Sequence, residues 1–369
     1  MADWKRVLRE LTADVETRVD EARARARARR TERRPARVAP YRGYGAGGRV
    51  LVLGRVLEDP PPEPADAASP WWKNLAGTLK RLESDEVPHA RVRVVLPGGA
   101  AHEVTADDEG HVRAWLPAGA LDPATPWHAV RFELPDEPAA APPAEGKVLV
   151  PTPAARLGVV SDLDDTVVQT DATDLVRMLK QILLGNAHTR LPFPGVAAFY
   201  RALHRGARGD EGNPLFYVSS SPWNLYDVLE QVLDIHGIPA GPLLLRDWGI
   251  RREELLPLGH RAHKLAAIEQ ILETYPALPF VLIGDSGQED PEIYHEVVHR
   301  HPGRIVAAYI RNVTPAGGRG EAIRALAEEV LAAGSALVLA DDTLAAARHA
   351  ADHGWIAPAA LVGIGKEAR

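Results

Sequence analysis

Apolar and polar positions repeat with three successive periods along this chain. In residues 3 to 21, Trp4, Val7, Leu8, Leu11, Val15 and Val19 recur three and four apart, the spacing of one face of an amphipathic helix. The segment continues into an alanine- and arginine-rich run from Ala22 to Arg30. The spacing predicts a basic amphipathic helix over 1–39, which either packs its apolar stripe on the rest of the protein or lies on an anionic lipid surface. From Tyr41 to about Leu134 the period falls to two: "RVLVLGRVLED", "HARVRVVLP", "HVRAWLP" and "HAVRFELP" alternate as half-buried strands do. These predict a β-sandwich over 40–135, with Asp107, Asp108 and Gly110 supplying a hairpin turn. Within it, "WWKNLAGTLKRL" reads as helical and "DPPPEPADAASP" as a surface loop, while "LPDEPAAAPPAEG" marks a linker over 136–150.

Beyond Pro151 strand-like and helix-like stretches alternate. "LGVVSD", "PLFYVSS", "FVLIGD", "RIVAAYIR" and "ALVLA" are short continuous apolar runs, as expected of strands buried on both faces of a parallel sheet. The expected architecture of 151–369 is an α/β domain with a Rossmann-like parallel sheet. Ligands bind such sheets at the carboxyl ends of the strands, where this chain places Asp162 and Asp164, Ser219, and Asp285.

Composition narrows the chemistry. The chain has 369 residues, enough for two or three domains, and 46% are hydrophobic, enough for a sizeable core. It has no cysteine, which removes disulfides, thiolate zinc sites and cysteine nucleophiles and fits a reducing compartment. No apolar run approaches the roughly 20 residues that span a bilayer, and the N-terminus lacks the apolar core of a signal peptide. A cytoplasmic protein is expected, peripheral at the membrane if the N-terminal helix lies on lipid. The net charge of −7 argues against nucleic acid as the partner.

Four acidic residues crowd the end of the first strand of the α/β region. Asp162 and Asp164 stand two apart in "DLDDT", and carboxylates so close repel unless a cation lies between them. A calcium loop of the EF-hand type would need a glycine at its sixth position, where Val167 stands. The other solution is magnesium with a phosphate, one carboxylate attacking phosphorus and another moving a proton. Further along, Ser219 could hydrogen-bond a phosphoryl oxygen and Lys264 could neutralise its charge, while "GDSGQED" brings Asp285 and Asp290 to complete a metal shell.

This ordered set resembles the haloacid dehalogenase superfamily of phosphohydrolases, whose motifs are DxDxT, a Ser or Thr after the second strand, a Lys, and a GD…D acidic pair. Within it, "YVSSSPWNLY", "LLLRDWG", "HKLAAIEQIL", "FVLIGDSGQEDPEIY" and "AAYIRNV" are similar to the catalytic domain of the actin-patch-type phosphatidate phosphatase family, and "PYRGYG" to the region preceding it in bacterial relatives. The resemblance implies magnesium as cofactor, held by Asp162, Asp164 through its main-chain carbonyl, Asp285 and Asp290. It also implies Asp162 as nucleophile, Asp164 as general acid and base, and Ser219 and Lys264 as phosphate contacts. Thr166, Ser220, Ser221, Arg246 and Trp248 become candidates for substrate contact, with a phospholipid as substrate. An apolar helical face of Leu175, Met178, Leu179, Ile182 and Leu183 either packs on the core or forms a small helical cap beside the site.

Two other motifs compete. "GYGAGG" matches G-x-G-x-x-G through Gly43, Gly45 and Gly48, but it precedes a strand and opens no helix, against a dinucleotide site. "HEVVH" matches a zinc-protease signature through His295, Glu296 and His299, with Glu321, Glu328 or Glu329 as a third ligand. Its place after "GDSGQEDPEIY" favours a chance match. The remaining alternatives are the same hydrolysis on a soluble phosphomonoester, and a lipid- or cation-binding module with a dead site.

Overall fold

Two sheets account for the strands, and the side-chain periods explain why they differ. The computed structural model describes residues 35–58, 85–136, 142–163, 194–246, 257–313 and 318–368. The expected N-terminal helix, the Trp71–Leu82 segment and the Leu175–Leu183 face lie outside them.

The first sheet contains β1 (Ala36–Ala46), β2 (Arg49–Glu58), β3 (Asp85–Glu86), β4 (Arg91–Val95), β5 (Ala101–Thr105), β6 (His111–Pro117), β7 (Trp127–Glu133) and β8 (Ala144–Leu149). Its order is β3-β2-β1-β8-β7-β4-β5, with β6 on β2. All pairings are antiparallel except β1 with β8, where Gly43 and Tyr44 lie beside Val148 and Leu149. The result is one continuous sheet whose two arms close on a shared core of Val38, Val52, Val94, Val112, Phe132 and Val148.

Three expectations change here. The expected 39/40 boundary falls inside β1, which begins at Ala36. The expected linker contains β8: Gly146 and Val148 are buried while Glu145 and Lys147 are exposed, a period-two signal that the neighbouring prolines obscured. The turn at Asp107–Gly110 is present, with Asp107 Oδ1 accepting from the amides of Glu109 at 2.9 Å and His111 at 2.8 Å. It joins no hairpin, because β5 pairs with β4 and β6 pairs with β2. A two-residue hairpin does link β1 and β2: Gly47 and Gly48 both take positive φ, as a type I′ turn requires. That accounts for the last glycine of "GYGAGG" as backbone geometry.

The second sheet comprises β9 (Gly158–Asp162), β10 (Leu215–Pro222), β11 (Leu243–Arg246), β12 (Phe280–Asp285), β13 (Ile305–Arg311) and β14 (Leu337–Ala340). It is parallel throughout, in the order β11-β10-β9-β12-β13-β14. Numbered from β9 this is 3-2-1-4-5-6, the doubly wound order whose switch point lies between the first and fourth strands. Five of the six strands coincide with the apolar runs read from the sequence; β11 was too short to stand out. The helices form two layers: α3 (Pro257–Thr274), α4 (Asp290–Arg300) and α5 (Arg319–Ala332) contact in series, and α1 (Val196–Arg205), α6 (Thr343–Asp352) and α7 (Ala360–Glu367) form the other group. The remaining described helix, α2 (Tyr226–Ile235), follows β10. No helix among the described residues is long and apolar enough to cross a membrane.

β1 and β2 are buried on both faces, which their mixed pattern of consecutive buried positions records. One face completes the first core; the other sends Tyr41, Tyr44, Leu51, Leu53 and Leu57 into the core of the α/β sheet. Tyr44 meets Phe216 and Trp115 edge-on at centroid separations of 5.5 and 5.8 Å, and its hydroxyl accepts from Gln270 at 2.5 Å. Such a ring contributes about 1.5–3 kcal/mol by burial and about 0.5–1.5 more per aromatic pair.

His111 sits on β6 at this junction, 6.0 Å from the Trp223 ring. Burial, and then the charge of Arg55, lower its pKa to about 4, against a smaller opposing pull from Asp107; Glu109 lies 3.9 Å away. The unfolded chain therefore binds a proton at higher pH than the folded one, so this contribution is complete above the ordinary histidine value and is lost as pH falls toward 4. Thermal unfolding followed from pH 7 down to pH 4.5 is expected to show a shallower loss of Tm in His111→Gln than in wild type; parallel curves would remove His111 as the source.

Candidate active site

The switch point places the ends of β9 and β12 side by side, paired in register up to Ser161 and Ile283. Asp162 ends one strand and Asp285 the other. Asp290 enters from the first turn of α4, where the helix N-terminus favours a carboxylate. Oxygen atoms of Asp162, Asp285 and Asp290 lie within 4.8 Å of one another, and among the described residues these three form the one such cluster of acidic, histidine or cysteine side chains.

Lys264 on α3 passes between them. Its Nζ lies 2.8 Å from Asp162 Oδ1 and donates to Asp290 Oδ1 at 2.8 Å and to Gln288 Oε1 at 3.3 Å. The three charged side chains are all but sealed from solvent, at 1%, 3% and 0% for Lys264, Asp162 and Asp290. At that burial an unpaired ion is prohibitive, so each charge depends on its opposite. Asp290 also accepts from the Asp285 amide through Oδ2 at 3.1 Å. Gly284 makes this approach possible, since a Cβ there would lie 2.3 Å from Asp290 Oδ2.

Asp285 is the strained member. Burial, followed by the Asp290 charge, raises its pKa; the amides of Gly287 and Gln288 and the Lys264 ammonium pull it back. Those amides donate to Asp285 Oδ1 at 2.6 and 3.2 Å and hold one oxygen in place. Hard oxygen donors crowded until one resists ionisation suit a divalent cation of the magnesium or calcium kind.

Ser219 lies one residue past Val218, the β10 partner of Asp162, and is fully buried. Its Oγ accepts from the Ser221 amide at 3.0 Å. Ser220 is half-buried; Ser221 is buried, and its hydroxyl has no hydrogen-bond partner among the described residues. Arg246 ends β11 opposite Pro222 and is half-buried, on the far side of β10 from Asp162. Asp164, Thr166 and Trp248 lie outside the described residues. The structure thus brings together Asp162, Lys264, Asp285 and Asp290, with Ser219 on the adjoining strand and Arg246 one strand further out.

Two supporting residues escaped the sequence reading. Gln288 completes the Lys264 contacts. Arg319, at the start of α5, ties down the loop that carries Asp285: it donates to the carbonyls of Ser286 at 3.1 Å and Gln288 at 2.6 Å and pairs with Glu292. An arginine far along the chain beside no motif carries no sequence signal for such a role.

The competing histidine motif does not assemble. His295 Nε2 meets Glu329 at 2.7 Å, His299 Nδ1 bonds the His295 carbonyl at 2.9 Å, and Glu296 is taken up by Arg261 and Arg300. The glutamate that would act as general base is paired with two arginines on the outside of α4.

The stretch that carries the acidic cluster matches known proteins. Residues 157–312 match the family model described as phosphatidate phosphatase APP1, catalytic domain. Phosphatidate phosphatase APP1 of Saccharomyces cerevisiae is 31% identical over 156 residues, which is 42% of this chain and 26% of that protein. An uncharacterized protein of Schizosaccharomyces pombe is 26% identical over 159 residues, again 42% of this chain and 25% of that one. The chain spans about a quarter of the length of these curated relatives. Among solved structures, a β-glucuronidase from Ruminococcus gnavus in complex with D-glucuronic acid aligns over 82% of this chain and 52% of that one at 10% identity, but with a TM-score of only 0.25. The resemblance to the actin-patch-type phosphatidate phosphatase catalytic domain is borne out for residues 157–312, which contain the whole acidic cluster and Lys264.

If Lys264 is what balances this cluster, Lys264→Met leaves two sealed carboxylates facing each other. The expected loss in urea unfolding at neutral pH is about 3–5 kcal/mol, the range for removing one partner of a buried pair. A loss below about 1 kcal/mol would show that the carboxylates find other partners.

Proposed function

We propose that this chain is a magnesium-dependent phosphomonoester hydrolase of the haloacid dehalogenase type, acting on phosphatidate to release diacylglycerol and phosphate. The observation that carries the reading is the Asp162–Lys264–Asp290–Asp285 cluster at the switch point of a parallel sheet, inside the stretch that matches a phosphatidate phosphatase catalytic domain. The substrate rests on the name of the Saccharomyces cerevisiae relative, the chemistry on the site.

Asp162, held at the strand end, is the nucleophile. One of its oxygens attacks phosphorus, and the bond from phosphorus to the leaving alkoxide breaks, giving a phosphoaspartyl intermediate. Asp164, two residues on, gives a proton to the alkoxide and then takes one from the water that attacks phosphorus and frees Asp162. Lys264, fixed between Asp162 and Asp290, balances negative charge at the attacking carboxylate, and Ser219 donates its hydroxyl to a phosphoryl oxygen. Asp162, Asp285 and the main-chain carbonyl of Asp164 would hold magnesium, whose positive charge would let a carboxylate approach an anionic phosphate. Asp290 serves this set by holding Lys264 and the Asp285 amide.

Phosphate release from phosphatidate in mixed micelles and from a small aryl phosphate, each with and without magnesium, tests the reading. Magnesium-dependent release favouring the lipid, and reduced by about 10³-fold or more in Asp162→Asn, is the expected result. Release from the aryl phosphate alone would keep the chemistry and discard phosphatidate. Activity retained in Asp162→Asn would remove the nucleophile. Independently of turnover, magnesium is expected to raise the Tm of wild type and to have a smaller effect on Asp285→Asn; no shift in wild type would count against the metal.

A further inference from the structure

The "PYRGYG" stretch and the β domain that contains it have no part in the chemistry proposed above, yet the contacts they make converge on one place. We infer that the β domain braces the serine turn at the end of β10, and that Tyr41 and Arg55 are positioning residues that act on Ser219 through Trp223 and Asn224. The catalytic side of this inference rests on the phosphatase reading.

The end of β10 is the least regular part of its sheet. On the β11 side the pairing jumps from Val218–Leu244 to Pro222–Arg246, so four steps on β10 answer two on β11 and Ser219, Ser220 and Ser221 bulge out of the ladder. A bulge re-aims side chains but gives up ladder bonds that would fix them. Within the turn, the Ser221 amide donates to Ser219 Oγ, a local bond.

Contacts from the other sheet take hold directly after it. Immediately after the bulge, the Trp223 ring stacks on Tyr41 at 5.0 Å with 16° between planes, and Tyr226 lies against the same Tyr41 at 4.2 Å. The Tyr226 hydroxyl accepts from the Arg42 amide at 2.7 Å, and Arg42 Nε pairs with Glu230 at 3.0 Å. Arg55 on β2 bonds Asn224 through Nη1, and is itself fixed by the Glu109 carbonyl at 3.0 Å and by Glu86 at 3.1 Å. Arg55 is only 7% exposed, so its direction is set by these partners. Gly43 lets β1 come this close to its neighbours, since a Cβ there would lie 2.0 Å from the Leu51 carbonyl oxygen. Tyr41, Arg42, Gly43 and Tyr44 of the motif are thereby accounted for as a strand that docks one domain on the loop of the other.

Hydrogen exchange and steady-state kinetics on the full chain, in wild type, Asn224→Ala, Tyr41→Leu and Tyr41→Phe, test the brace. Asn224 is exposed, so Asn224→Ala removes the Arg55 contact without opening a core. Exchange of the amides at 219–221 is expected to rise about tenfold or more in Asn224→Ala and Tyr41→Leu while that at 280–285 stays unchanged, and Tyr41→Phe, which keeps the ring, restores it. Toward the aryl phosphate, kcat/KM should fall about tenfold in the same two variants and recover in Tyr41→Phe; combined with Ser219→Ala, Asn224→Ala should add little further loss. Unchanged exchange at 219–221 overturns the brace. Raised exchange with unchanged kcat/KM, or losses fully additive with Ser219→Ala, overturns the positioning role. If wild type turns over no phosphate ester, the phosphatase reading fails, and the exchange comparison still decides whether the β domain holds the turn.

Discussion

A single ammonium group shared by two sealed carboxylates sets the terms for the rest of this molecule. Lys264 stands on α3, Asp162 ends β9 and Asp290 opens α4, so elements from three parts of the chain must meet within hydrogen-bond distance or leave a charge stranded. Neither helix can slide by a turn, and the strand end cannot be displaced, without breaking a pair whose loss is worth several kcal/mol. Gly284 shows the tolerance of the arrangement, because one extra carbon at that position would overlap the Asp290 carboxylate. The site is rigid for the same reason that it is charged.

That rigidity is matched by the sheet. Parallel pairing from β11 to β14 buries the strand interiors on both sides, and the switch point between β9 and β12 leaves a crevice that opposing helix layers cannot fill. The carboxylates are collected at that crevice, and Arg319 pins the loop beneath them through two carbonyls and Glu292. The serine turn on the other side of Asp162 runs directly into Trp223 and Asn224, which take contacts from β1 and β2.

Much of this was legible in the sequence. Continuous apolar runs announced the parallel strands, and acidic residues directly after two of them announced the site, because both signals are local in the chain. What stayed hidden was long-range. β8 was lost among prolines, since the one alternation of Gly146 and Val148 with Glu145 and Lys147 is too short beside a Pro-rich stretch to make a visible period. The Asp107–Gly110 turn was recognisable from its residues, but which strands it joins depends on partners elsewhere in the sheet. Arg319 and Gln288 carry no motif of their own and acquire a role only when the fold brings them to the acidic loop. "HEVVH" erred in the opposite direction: its spacing is sound, and the surroundings tie Glu296, which would be the general base, to two arginines.

The boundary of the family match is not a boundary of packing. The match begins at residue 157, yet Tyr41, Tyr44, Leu51 and Leu53 belong to the same buried cluster as Phe216, Tyr275 and Phe280. It ends at residue 312, yet β14 extends the parallel sheet beyond β13 and α5 supplies the arginine that fixes the acidic loop. A segment cut at those limits would expose the faces of Phe216 and Tyr275 that Tyr44 covers and would lose Arg319. The chemistry-bearing residues therefore lie within a stretch that depends on both of its flanks, and the physical unit that holds the site together extends from β1 to α7.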